Sequence, residues 1–101
     1  MERNSVYRGF RGVHFWGTSD CNILNNVIHR TGTGIYLDAN MACPDEPTPD
    51  CFYATGNVIS GNEVTRNYMD LSHDENAVGN TWEDNTCLTK EGAEIPECTG
   101  R

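Results

Sequence analysis

Sliding the sequence against itself by 22 residues superposes Asn4 on Asn26, Val6 on Ile28, Arg8 on Arg30, Gly12 on Gly34, Val13 on Ile35 and Phe15 on Leu37. Within "GNVISGNEVTRN" (56–67), Asn57, Asn62 and Asn67 recur every five residues, with Ile59 and Val64 between them. No helix has that period. An antiparallel sandwich with Asn-rich turns does not explain the offset of 22. A chain that coils once per repeat, laying short parallel strands on one another, does explain it. Aliphatic side chains then stack into interior columns about 4.8 Å apart. Asparagines occupy the corners, where they tolerate left-handed backbone and bond the main chain.

The expected fold is therefore all-β, a short parallel β-helix of about three coils. "GVHF" (12–15), "GIYL" (34–37) and "YMDL" (68–71) align as one strand. "ILNNVIHR" (23–30), "ISGNEVTR" (59–66) and "AVGNTWED" (77–84) align as another. The expected interior columns are Val6/Ile28/Val64/Trp82, Val13/Ile35/Met69, Phe15/Leu37/Leu71 and Ile23/Ile59/Ala77. Asn4, Asn26, Asn62 and Asn80 form the expected amide ladder. Residues 1–101 read as one domain, with coils over 4–87, an inserted loop at 41–53 and a capping loop at 88–101.

A domain of 101 residues buries a modest core and gains from cross-links. "CPDEPTPDC" (43–51) and "CLTKEGAEIPEC" (87–98) are polar and aperiodic. A disulfide closing each, Cys43–Cys51 and Cys87–Cys98, would replace the core they lack, by roughly 2–3 kcal/mol apiece. Spacing alone leaves the pairing open. Cys21 is then left over as a small buried hydrophobe. A zinc site ranks below disulfides, because no CxxC or HxxxH spacing is present. The 15 Asp and Glu against 7 Lys and Arg, a net charge of −8, argue against a nucleic-acid partner. No run is long enough to span a membrane, and no signal peptide follows Met1.

The Asn-x-Ile-x-x-Asn-x-Val-x-x-Asn run and the closing "NTWEDNTC" (80–87) with its later Cys98 resemble right-handed parallel β-helix proteins. That broad group holds pectate lyase-like enzymes and NosD-like periplasmic proteins. The resemblance covers residues 4–87 and implies an extracellular or periplasmic location. It speaks for fold more than for activity. It is nearest to the last coils of such a fold, or to a small solenoid whose open first coil is covered by a partner. The expected partner is a second copy, meeting it N-terminal end to N-terminal end as a dimer.

Chemistry is expected on the outer face of the "GVHF" strand. His14 and Trp16 point out where Val13 and Phe15 point in. Tyr36 and Asp38, then Asp70 and Ser72, are their expected stacked equivalents, and His73 and Asp74 follow at the next corner. Aromatic rings beside carboxylates suit carbohydrate, and Asp38 with Asp70 are the candidate acid/base pair of a glycoside hydrolase or polysaccharide lyase. A solvated strand face carries polar residues and stacked aromatics in any case, so a non-catalytic or purely structural module stands beside the enzyme. Arg8, Arg30 and Arg66 form a row ending in Asp84, a candidate site for anionic glycan groups. Glu63 and Glu83 are its alternative counter-charges. No resident cofactor is expected. The pectate lyase-like resemblance implies calcium, for which Asp38, Asp70 and Asp74 are the candidate oxygen ligands. Its arginine base has no counterpart in the matched strands of that face. The NosD-like resemblance implies copper, for which His14, His73 and Met69 have suitable donors, although Met69 is assigned to a core column.

Overall fold

The computed structural model describes residues 1–38 and 53–98. Its elements are strands: β1 (Ser5–Trp16), β2 (Asn22–Leu24), β3 (Val27–Asp38), β4 (Val58–Ser60), β5 (Glu63–Val64), β6 (Met69–His73), β7 (Thr81–Glu83), β8 (Thr86–Cys87) and β9 (Lys90–Glu91). No helix occurs among the described residues. Every strand pairing is parallel. One sheet runs β8-β5-β3-β6-β9 with β1 also on β3, and a smaller sheet runs β2-β4-β7. Parallel neighbours require a crossover between them, so the chain leaves each sheet and returns to it one row further on.

The register decides which side chains share a row. Val6 lies on Ile28, Ile28 on Val64 and Val64 on Cys87. Val13 lies on Ile35 and Ile35 on Leu71; Phe15 lies on Leu37 and Leu37 on His73. Ile23 lies on Ile59 and Ile59 on Trp82. Ile23, Ile28, Ile35, Leu37, Ile59 and Val64 are wholly buried. The first two passes of the chain thus stack as the sequence match requires. The later ones do not. Met69 pairs with Thr33, leaving Leu71 rather than Met69 in the Val13 row. Trp82 belongs with Ile59, not Val64, and Ala77 lies outside that row. The offset is 22 between Asn4 and Asn26, 36 between Asn26 and Asn62, and 23 between Asn57 and Asn80.

The three asparagines five residues apart, Asn57, Asn62 and Asn67, belong to three separate hydrogen-bond lines. In the first, the Oδ1 of each asparagine accepts both the backbone N–H and the Nδ2–H of the one before it: Asn26 from Asn4, Asn62 from Asn26 and Asn85 from Asn62, at 2.9–3.3 Å. Asn85, not Asn80, completes this line. Asn80 serves the second, taking the amides of Asn57, which takes the N–H of Cys21. Glu94 ends that line, its carboxylate accepting from Gly79 and Asn80. In the third, Asn67 accepts from Thr31 N and Oγ1 and donates to Asp70 Oδ1. Buried amides without such partners would each cost roughly 1–3 kcal/mol.

The corners use left-handed backbone. Arg3, Asn25, Gly61 and Asp84 form one such row, and Arg8, Arg30 and Arg66 another, with φ between 54° and 68°. The arginine row exists, but Asp84 belongs to the first corner rather than at its end. Cys87 and Cys98 form the expected disulfide. It holds the segment that brings Ile95, 3% exposed, over Leu71, Trp82 and Cys87. Cys21 is free, as expected, but only half buried. Cys43 and Cys51 lie outside the described residues.

Candidate functional site

Strand alternation and the β1–β3 register put His14 directly beside Tyr36, and Trp16 beside Asp38. The rings of His14 and Tyr36 stack at 5.1 Å with 15° between planes, and Trp16 tilts against His14 at 4.7 Å. The guanidinium of Arg11 lies 4.8 Å from the Phe10 ring centroid and 5.5 Å from that of Tyr36. Both the Arg11 guanidinium and the Trp16 indole N–H face His14 Nδ1. Neither group can accept a hydrogen bond, so Nδ1 is the acceptor. The proton of the neutral ring is then on Nε2, which donates to Asp38 Oδ2 at 3.2 Å. Trp16 is 47% exposed and Phe10 80%, which leaves an aromatic surface set on a hydrogen-bonded base.

Burial pushes the His14 pKa below its ordinary 6.5, and the Arg11 charge adds to this, while Asp38 opposes it. Tyr36 is pushed up, first by burial and then by the charges of Asp38 and Asp74. Unfolding returns His14 to its ordinary range, where it binds a proton more readily. The contribution of this cluster to stability is therefore intact above about pH 6.5 and is lost as the pH falls below it. Melting the native chain and His14→Gln at pH 7.5 and 5.5 checks this: the native chain is expected to lose more on acidification than the variant.

Asp70 and His73 are not on this face. Asp70 occupies the position that Gly34 and Gly12 hold in the earlier passes. A Cβ at Gly34 would meet Val64 and the backbone of Asp70, so that position points inward. The Asp70 carboxylate is 1% exposed and is taken up by amides: Oδ1 by Asn67, Oδ2 by Leu88 N at 2.8 Å and Thr89 N at 3.1 Å. It does not pair with Asp38. His73, in the interior row below Leu37, donates from Nδ1 to the Asp74 carbonyl and accepts Glu94 N–H at Nε2. Asp74, whose N–H bonds Leu37 O, is the residue that follows Asp38 on the outer row. Calcium ligation by Asp38, Asp70 and Asp74 together is therefore not assembled.

Arg11 is the residue that the sequence reading missed. It supplies the cation that the matched strands lacked, and its signal is the aromatic-basic step Phe10-Arg11, three residues before His14. Arg8, Arg30 and Arg66 are exposed at their corner. Glu63, expected to balance them, instead meets His29 at 2.8 Å. A concavity of about 460 Å³ lined by His29, Glu63, Thr65, Arg66, Thr86 and Leu88 contains none of the His14 cluster.

Across nearly its whole length, residues 1–94, the chain matches the family model described as periplasmic copper-binding protein (NosD). No curated protein and no solved structure matches it. No helix among the described residues is long and apolar enough to cross a membrane. The described residues do not fit copper: no group of three or more His, Cys, Asp or Glu suited to a metal occurs among them. Both nitrogens of His14 and of His73 are held by protein groups, and Met69 sits in the Thr33 row. The parallel sheets, the asparagine lines and the match over residues 1–94 together make this chain a member of the NosD family of right-handed parallel β-helix proteins.

Proposed function

We propose that the chain is a non-catalytic, extracytoplasmic β-helix module of about three coils that binds carbohydrate on the Phe10/Arg11/His14/Trp16/Tyr36/Asp38 face. The observation that carries this reading is the stack of Tyr36, His14 and Trp16, braced beneath by Asp38 and Arg11. A half-exposed indole on a fixed support offers an apolar face to a sugar ring at small entropic cost. Asp38 and Arg11 supply an acceptor and donors at its edge. The family's periplasmic description and the Cys87–Cys98 bond support an oxidising compartment. The 22-residue coil of the first two passes, lengthened later by the insertion, is the proposed unit of the solenoid.

A glycan array followed by calorimetry tests it. Trp16→Ala is expected to weaken binding about tenfold, equivalent to 1.4 kcal/mol, without changing the melting temperature by more than a few degrees. An array without hits at low salt would leave the structural module. A second reading, cleavage of a glycosidic bond, draws on Asp74 lying next to Asp38 on the outer row, in the place expected for Asp70. Release of new reducing ends, abolished by Asp74→Asn, would favour it over binding alone.

A further inference from the structure

The outer face of β5 holds a socket away from the His14 cluster. Glu63 pairs with Val27 on one side and with Thr86 on the other. Two residues on, the same register sets Thr65 between His29 and Leu88. Threonine is the smallest of these three side chains, so the face sinks at Thr65. The concavity of about 460 Å³ lies there, with Glu63, Thr86 and Arg66 completing its wall. Its frame is fixed by the main chain. Glu63 N bonds Asn26 O, Thr86 N bonds Asn62 O and Leu88 N bonds Asp70 Oδ2, each at 2.8 Å, and Cys87, between Thr86 and Leu88, is in the disulfide. The polar groups around the socket are not used up within the protein. Thr65 Oγ1 and Thr86 Oγ1 have no hydrogen-bond partner among the described residues. His29 Nε2 lies 2.8 Å from Glu63 Oε2 without the alignment of a hydrogen bond, so the Glu63 carboxylate keeps its capacity to accept. Arg66 and Arg30, which adjoins it in the corner row, meet no carboxylate among the described residues.

We propose that this socket binds a small organic acid with a hydrogen-bond donor at its other end, the chemistry shared by amino acids and acidic sugars. Glu63 and Arg66 stand three residues apart, at most about 10 Å between Cα atoms, and do not pair with each other. A carboxylate on Arg66, where Arg30 adds a second positive charge, and an ammonium or hydroxyl on Glu63 join the two charges that the protein leaves apart. The arginine fork takes a carboxylate by two parallel bonds. A simple anion would face the Glu63 carboxylate, and a simple cation would face the arginines, so both ends of the ligand are specified. The hydroxyls of Thr65 and Thr86 serve the groups between those ends, and Leu88, 55% exposed, offers an apolar wall to the carbon skeleton. The volume falls within the range of small-molecule sites, about 300–1,000 Å³. The socket shares no residue with the His14 face, so it does not depend on carbohydrate binding there.

Titrating the whole chain and following its amide NMR shifts tests this, with serine and glucuronate as probes and acetate and glucose as controls. Acetate lacks the donor and glucose lacks the carboxylate. The expected result is a saturable shift of the amides of 63–66 and 86–88 with serine or glucuronate, and binding about tenfold weaker for both controls. The tighter of the two acids tells whether the donor is ammonium or hydroxyl. Arg66→Asn keeps a residue type that Asn25 already places at a left-handed corner, and is expected to weaken binding about tenfold with unchanged melting. Glu63→Gln is expected to bring the acids down to the affinity of acetate. Trp16→Ala is expected to bind them as the native chain does. No saturable shift with either acid would overturn the proposal. So would acetate binding as tightly as they do, Arg66→Asn binding as tightly as the native chain, or shifts that centre on His14 and vanish in Trp16→Ala.

Discussion

Val64→Asp is expected to leave the chain unfolded. Val64 is wholly buried between Ile28 and Cys87 in one interior row, and nothing within that row can pair with a carboxylate. Burying an unpartnered charge costs several kcal/mol, against a total stability of about 5–15 kcal/mol for a domain of this size. The protein is expected in the insoluble fraction, or soluble without a β spectrum. Val64→Ala, which only opens a cavity, is expected to fold with a loss of about 2 kcal/mol in urea. A soluble Val64→Asp with native melting would mean that the row register is wrong.

Asp70→Ala carries the second largest effect. The carboxylate accepts from two amide groups of Asn67 and from the backbone of Leu88 and Thr89, so it ties the third pass to the start of the last one. Hydrogen bonds to a charged acceptor are worth about 1.5–3 kcal/mol each, and the stranded donors add their own desolvation. A loss of about 3–5 kcal/mol is expected for the set, since such bonds do not add. Asp70→Asn keeps the shape but turns an amide donor toward other donors, and is expected to fall nearly as far. Urea midpoints measure the loss. Hydrogen exchange locates it, with the Leu88 and Thr89 amides losing protection first. A solvent-facing catalytic carboxylate would behave in the opposite way, leaving stability unchanged.

The first two passes were legible because no insertion separates their strands. Val6, Val13 and Phe15 find Ile28, Ile35 and Leu37 by a single shift. The third and fourth were misread for a definable reason. Asn57 and Asn62 are five apart, and so are Asn80 and Asn85, so the pattern fits itself again after a slip of five. Ala77 offers an apolar residue that makes the slipped match plausible, while Trp82, the true neighbour of Ile59, is far larger than the residue it covers. Asp70 was hidden by the opposite fault. An acidic residue at an inward glycine position contradicts hydrophobic patterning, and only the amides of a later segment make it tolerable there. His73 is the same case, a polar ring placed inside because two backbone groups receive it. Of the face, His14, Trp16, Tyr36 and Asp38 were visible from alternation. Arg11 was not, since its strand partner is Thr33 and only the reach of its side chain brings the guanidinium to the Tyr36 ring.

The asparagine lines also impose an order of events. Asn4 needs the side-chain Oδ1 of Asn26, Asn26 that of Asn62, and Asn62 that of Asn85. Each acceptor lies later in the chain, by 22, 36 and 23 residues. During synthesis from the N-terminus, no pass can complete its amide bonds when it emerges. It waits for the next, and the whole line is satisfied only when Asn85 arrives. Contacts of such separation are slow to form, and in a stack where each unit leans on its neighbour, folding spreads from whichever unit closes first. Here the closing unit is the last one, held by Cys87–Cys98. The dependence therefore runs backward along the chain, with its newest residues licensing the oldest to fold.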